Sequence, residues 1–116
     1  MVTHRNEMKS EVREKMRGGE GRATLIHLAD CAGDKEKNVR LLSELILPPG
    51  TSIGKHNHEN ETEYYIILSG NGIVDDNGEE VTVKTGDIVI TGGGAFHSIA
   101  NNGSVPLIFH AIIVTY

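Results

Sequence analysis

The chain has 116 residues, a formal net charge of -5, no Trp and only two Phe. That length holds one domain with a single core, built mainly from Ile, Val and Leu. A negative chain without a basic block predicts no nucleic-acid partner, and no apolar run approaches the length that spans a bilayer, so no membrane association is expected. The fourteen glycines point to many tight turns and an all-β architecture. Cys31 is the one cysteine, so no internal disulfide forms. With no stretch resembling a signal peptide in the charged Met1–Arg17 segment, this predicts a cytoplasmic location. In the polar stretch Asp30-Cys31-Ala32-Gly33-Asp34 the thiol has no basic neighbour and reads as an incidental loop residue.

Met8, Val12 and Met16 stand four apart within residues 4–17. That spacing predicts a short helix with a narrow apolar stripe, stopped by Gly18-Gly19-Glu20-Gly21. Residues 1–21 are therefore read as an N-terminal helical arm, lying on its own barrel or on a neighbouring subunit, and 22–116 as the barrel. Beyond the arm come short β-prone runs: Ala23–Leu28, Val39–Leu47, Thr62–Leu68, Gly72–Val74, Glu79–Val83, Ile88–Thr91, His97–Ala100 and Leu107–Val114. Asp76-Asn77-Gly78 is a hairpin signal of the type I′ kind. Pro48-Pro49-Gly50, Ser69-Gly70-Asn71-Gly72 and Asn101-Asn102-Gly103 mark further reversals. Strands at this spacing form a sandwich or a barrel.

His56-Asn57-His58 follows the Pro-Pro-Gly turn in a stretch expected to be extended. Residues two apart on a strand share a face, so both imidazoles can aim at one point. A reversal at 59–61 would carry Glu63 onto the adjacent strand, and His97 is the candidate for a fourth ligand. Glu59 and Glu61 compete with Glu63 for the carboxylate role, or else sit on a solvated turn. Imidazole and carboxylate suit Mn, Fe, Zn, Ni or Co rather than Mg or Ca. His27 and His110 lie inside strands and read as structural, His4 as an exposed arm residue. Lys55 alternates away from His56 and is expected to face outward.

Gly50–Gly70 reads G-x5-H-x-H-x4-E-x6-G, and Gly86–Asn101 reads G-x7-G-x2-H-x3-N. These resemble the two motifs of the cupin superfamily, with the short intermotif segment of its compact members. The resemblance implies a double-stranded β-helix, or jelly-roll barrel, and one divalent metal ion held by His56, His58, Glu63 and His97. It selects Glu63 over Glu59 and Glu61, and gives Gly86, Gly94 and Asn101 structural roles. Gly92 stands where the motif usually has proline. Met16-Arg17-Gly18-Gly19-Glu20-Gly21 resembles the arm of small cupins described as oxalate-decarboxylase-like.

If Glu63 faces the metal, Tyr65 and Ile67 share its side, as Ile99 shares that of His97; these three are the expected pocket lining. Tyr64, Ile66 and Leu68 then face outward, and that apolar row predicts a homodimer. The expected function is a metalloenzyme, with Mn or Fe, acting on a small carboxylate or diketone by decarboxylation or O₂-dependent cleavage. The alternatives are a sugar-phosphate isomerase with Arg22 or Arg40 meeting the phosphate, and a non-enzymatic small-molecule binding module.

Overall fold

The computed structural model describes residues 1–31 and 38–116. Its strands are β1 (Ser10–Glu14), β2 (Arg22–His27), β3 (Val39–Leu47), β4 (Ser52–Asn57), β5 (Glu61–Ser69), β6 (Asn71–Asp76), β7 (Glu79–Lys84), β8 (Ile88–Gly92), β9 (Phe96–Ala100) and β10 (Leu107–Thr115). They form a six-stranded sheet in the order β1-β2-β3-β10-β5-β8 and a four-stranded sheet in the order β4-β9-β6-β7. Every pairing is antiparallel. This is the double-stranded β-helix that the motifs imply.

Alternation builds the core. Along β10 every second residue from Leu107 to Ile113 is buried, and along β5 Glu63, Tyr65 and Ile67 are. Period-two patterning sends one set of side chains between the sheets and the other outward. Leu25, Leu45, Leu47, Ile53, Ile67, Val74, Ile99, Leu107 and Phe109 fill that interior. The β6–β7 hairpin turns at Asn77 and Gly78, with φ of 50° and 100°, the two positive values a type I′ turn requires.

The arm departs from the expected helix. Two 3₁₀ turns, Arg5–Glu7 and Met16–Gly18, flank β1, which pairs in register with β2, Val12 opposite Thr24. A spacing of four satisfies strand alternation as well as helical periodicity, and the open edge of β2 supplies hydrogen-bond partners that an isolated short helix lacks. No helix among the described residues is long and apolar enough to cross a membrane.

Candidate metal centre

The four motif residues reach one point from both sheets. His56 lies on β4 directly opposite His97 on β9, and Glu63 lies on β5 opposite Thr91 on β8. His58 follows β4, held by His58 N to Ala95 O at 3.0 Å and Gly94 N to His58 O at 2.8 Å. Gly94 therefore sets the backbone of one ligand from the loop that precedes another.

Nε2 of His97 stands 3.1 Å from Nε2 of His56, 3.0 Å from Nε2 of His58 and 3.0 Å from Oε1 of Glu63. Glu63 Oε1 is 2.9 Å from His58 Nε2 and 3.8 Å from His56 Nε2. Donors about 2.1 Å from an ion and at right angles about it stand roughly 3 Å apart, so the spacing fits a metal ion with further positions open.

Each outer ring nitrogen has a partner of its own. His56 Nδ1 donates to the Gly54 carbonyl at 2.7 Å, and a carbonyl can only accept. His58 Nδ1 is 2.5 Å from Glu61 Oε2, and His97 Nδ1 is 2.8 Å from Thr91 Oγ1. With their Nδ1 atoms engaged outside, the rings of His56 and His58 turn Nε2 inward, towards the Glu63 carboxylate. Three ring nitrogens and a carboxylate oxygen converging in a buried site are donors that a cation among them can satisfy. The cluster is a set of residues that can hold one metal ion.

Burial alone would push the Glu63 carboxyl up, but hydrogen bonds with His56, His58 and His97 outweigh it and keep it ionised. Burial also pushes His97 down, towards the neutral form a ligand needs. For His58 burial acts downward too, yet the carboxylates of Glu63 and Glu61 outweigh it and raise it. The forked hydrogen bonds from Arg40, at 2.7 and 2.8 Å, hold Glu61 down to about 2, with His58 helping. Tyr65 is pushed well above its ordinary value by burial, and Glu63 adds to this.

A cavity of about 800 Å³ opens onto the cluster through His56, His58 and Glu63. His97, stacked on Tyr65 with ring centroids 4.8 Å apart, closes the back. Tyr65 is on the cavity wall; Ile67 and Ile99 are buried in the core and take no part in that wall. The arm supplies much of the lining instead, with Met8, Glu11, Met16 and Arg17. Cys31 is on the wall as well, while residues 32–34 of its polar stretch lie outside the described ones. His27 also faces the cavity, its Nδ1 2.8 Å from Ser43 Oγ and its Nε2 3.1 Å from Glu11 Oε2. Lys55 points away, 4.5 Å over the Phe96 ring and 3.9 Å from Asp75. His110 pairs with Glu44 on the far side. His4 is exposed.

Reading the spacing alone misses Glu61 and Thr91. Glu61 is not a solvated turn residue: its side chain is 12% exposed and opens β5 between Arg40 and His58. Its signal was the three-residue step from His58, which a tight reversal turns into contact. Asn101 has the structural role the motif implies. Its amide donates to Leu47 O and Val105 O, each at 2.8 Å, and its side-chain oxygen accepts from Gly103 N at 2.9 Å.

Residues 43–114 match the family described as Cupin domain. An oxalate-binding protein of Thermotoga maritima is 42% identical over 114 residues, which span 98% of this chain and 93% of that one. A crystal structure of a predicted oxalate decarboxylase from Thermotoga maritima superposes with a TM-score of 0.90 and 41% identity, over 100% of both chains. The polyketide cyclase RemF of Streptomyces resistomycificus, 22% identical with a TM-score of 0.77 over 99% of this chain and 78% of that one, shares the fold. With its sheet order, its motif residues and this match in agreement, the chain belongs to the cupin domain family.

Proposed function

We propose that the protein binds one divalent metal ion through His56, His58, Glu63 and His97 and holds a small carboxylate, oxalate or a near analogue, in the cavity beside it. The observation that carries this reading is the cluster itself: one carboxylate and three ring nitrogens, all within 4.8 Å of one another, opening into a walled cavity. Three neutral imidazoles and one carboxylate leave a divalent ion with a net positive charge, which favours an anionic ligand. Likeness to a protein named for oxalate binding, over nearly all of both chains, supports the same ligand class. When bound, the ion supplies Lewis acidity and, as the Mn or Fe favoured here, redox capacity; Zn, Ni and Co also suit the donors.

The residues around the site would hold the ion and fix the rings that bind it. Glu61, Thr91 and the Gly54 carbonyl fix the three rings, and Tyr65 covers the rear. An enzymatic version of this reading, a decarboxylase or dioxygenase, has one observation in its favour. His27 and Glu11 line the same cavity as a hydrogen-bonded pair, with Ser43 on the other ring nitrogen, and such a pair can hold or pass a proton. The sugar-phosphate alternative loses support, since Arg22 is paired with Glu14 and Arg40 is engaged by Glu61.

The proposal includes a homodimer and, on the single cysteine, a cytoplasmic location. On the outer face of the six-stranded sheet, Tyr64 stands beside Ile90 and Ile112, and Ile66 beside Ile88. Ile88 and Ile90 are 59% and 60% exposed, an apolar row that a second copy would cover.

Calorimetric titration of the metal-loaded protein with oxalate tests the central reading. Saturable binding that disappears when the metal is chelated is expected. Oxalate binding of equal strength in the chelated protein would overturn it.

A further inference from the structure

The loop carrying Arg17 has a backbone that its sequence does not favour. Lys15 and Arg17 both adopt left-handed conformations, with φ of 48° and 54°, which an L-residue with a Cβ disfavours. The loop is held there by its surroundings. Lys15 N donates to Gly21 O at 2.8 Å, Ser52 N to Glu20 O at 2.9 Å, and Glu20 N to Ser52 Oγ at 2.8 Å. The backbones touch: a Cβ on Gly54 would lie 2.0 Å from Arg17 O, and one on Gly19 would lie 2.2 Å from Ser52 O. Only glycine permits either approach. This explains the Met16–Gly21 stretch physically, as the seat that presses Arg17 onto β4.

That seat adjoins the metal centre. Gly54, packed against the Arg17 carbonyl, supplies the carbonyl that orients His56, and Arg17 lines the same cavity as His56, His58 and Glu63. Most cations there are already engaged. Arg13 pairs with Glu11, Arg40 forks onto Glu61, and His27 meets Glu11. Among the described residues Arg17 makes no ion pair. Lys9 is likewise unpaired among the described residues, but it sits on the arm ahead of β1, where its carbonyl accepts from His27 N. Backbone strain kept in place by such contacts is characteristic of positions that serve a site.

We infer that Arg17 is the specificity residue of this cavity, its guanidinium receiving the far carboxylate of a small dianion whose near oxygens face the histidine–glutamate cluster. The inference rests on the reading of the cavity as a small-acid site. It makes the preferred ligand a short dicarboxylate, because a monocarboxylate satisfies the cluster and leaves the guanidinium without a partner. A planar two-donor fork matches a carboxylate where a lysine ammonium does not.

The test is calorimetric titration of manganese-loaded protein with oxalate and with formate, for wild type, Arg17→Gln, Arg17→Lys, Lys9→Gln and the surface control Arg22→Gln. Metal content and melting temperature are measured in each. Arg17→Gln is expected to weaken oxalate about tenfold or more, to leave formate and metal content nearly unchanged, and to erase the preference for oxalate. Arg17→Lys should recover part of the loss, and Arg22→Gln should show none. If wild type binds oxalate and Arg17→Gln binds it equally well, or if Lys9→Gln alone weakens it, the inference fails and the small-acid reading stands. If wild type binds formate as tightly as oxalate, the inference fails likewise. Metal-loaded wild type that binds neither acid overturns both.

Discussion

His58 Nδ1 and Glu61 Oε2 stand 2.5 Å apart, so the carboxylate that opens β5 orients the ring that precedes it by three residues. Arg40 holds Glu61 in turn through two nitrogens. A ligand in the connection after β4 is thereby tied to a cation on β3. Outer partners of this kind fix the tautomer and the aim of a metal-binding imidazole. Glu61→Ala is expected to lower metal affinity about 10- to 100-fold while the barrel stays folded. Competition with a chelator of known affinity, alongside circular dichroism, measures both. Unchanged affinity would mean that the pair is an ion pair without bearing on the site.

Glu44 anchors the arm. Arg5 holds its carboxyl below the usual range, against partial burial, and His110 adds to the effect. A carboxylate whose folded pKa is depressed stabilises the fold above its unfolded pKa and loses that contribution as the pH falls through the folded one. The melting-temperature gap between wild type and Glu44→Gln should therefore be full at pH 7. It should shrink as the pH drops below about 4.5. A gap independent of pH would assign the effect to packing rather than charge.

The outer row of the six-stranded sheet carries the oligomer prediction. Ile90→Glu places a charge in the middle of the proposed interface, where an unpaired carboxylate is costly to desolvate. Light scattering should then give half the wild-type mass, with the metal still bound. A wild type that is already monomeric, or a variant that keeps its mass, would remove this face from the account.

Much of the molecule could be read from residue spacing. The β3 limits, Val39–Leu47, follow from its apolar run, and the turn at Asn77-Gly78 follows from residues that tolerate positive φ. Strand alternation and one reversal allow His56, His58 and a carboxylate to meet, and the resemblance to the two motifs selects Glu63 and adds His97. Other features depend on contacts distant in sequence. β1 forms because the edge of β2 lies open to it, and Met8, Val12 and Met16 cannot distinguish that partner from a helical stripe. Gly92, standing in the usual proline position, packs on β5: a Cβ there would lie 2.3 Å from Thr62 Oγ1. Arg17 owes its place to backbone packing against Gly54, more than thirty residues on. Ile67 and Ile99 share the face of the ligands but sit deeper than the cavity, because the arm, rather than the sheet, forms the mouth.

The most direct measurement is metal content by mass spectrometry, made on wild type, His58→Ala and His97→Ala after identical loading with manganese and desalting. About one ion per chain is expected in wild type, almost none in either variant, and a folded barrel in all three by circular dichroism. Full metal retention in both variants, or none in the wild type, would contradict the metal site.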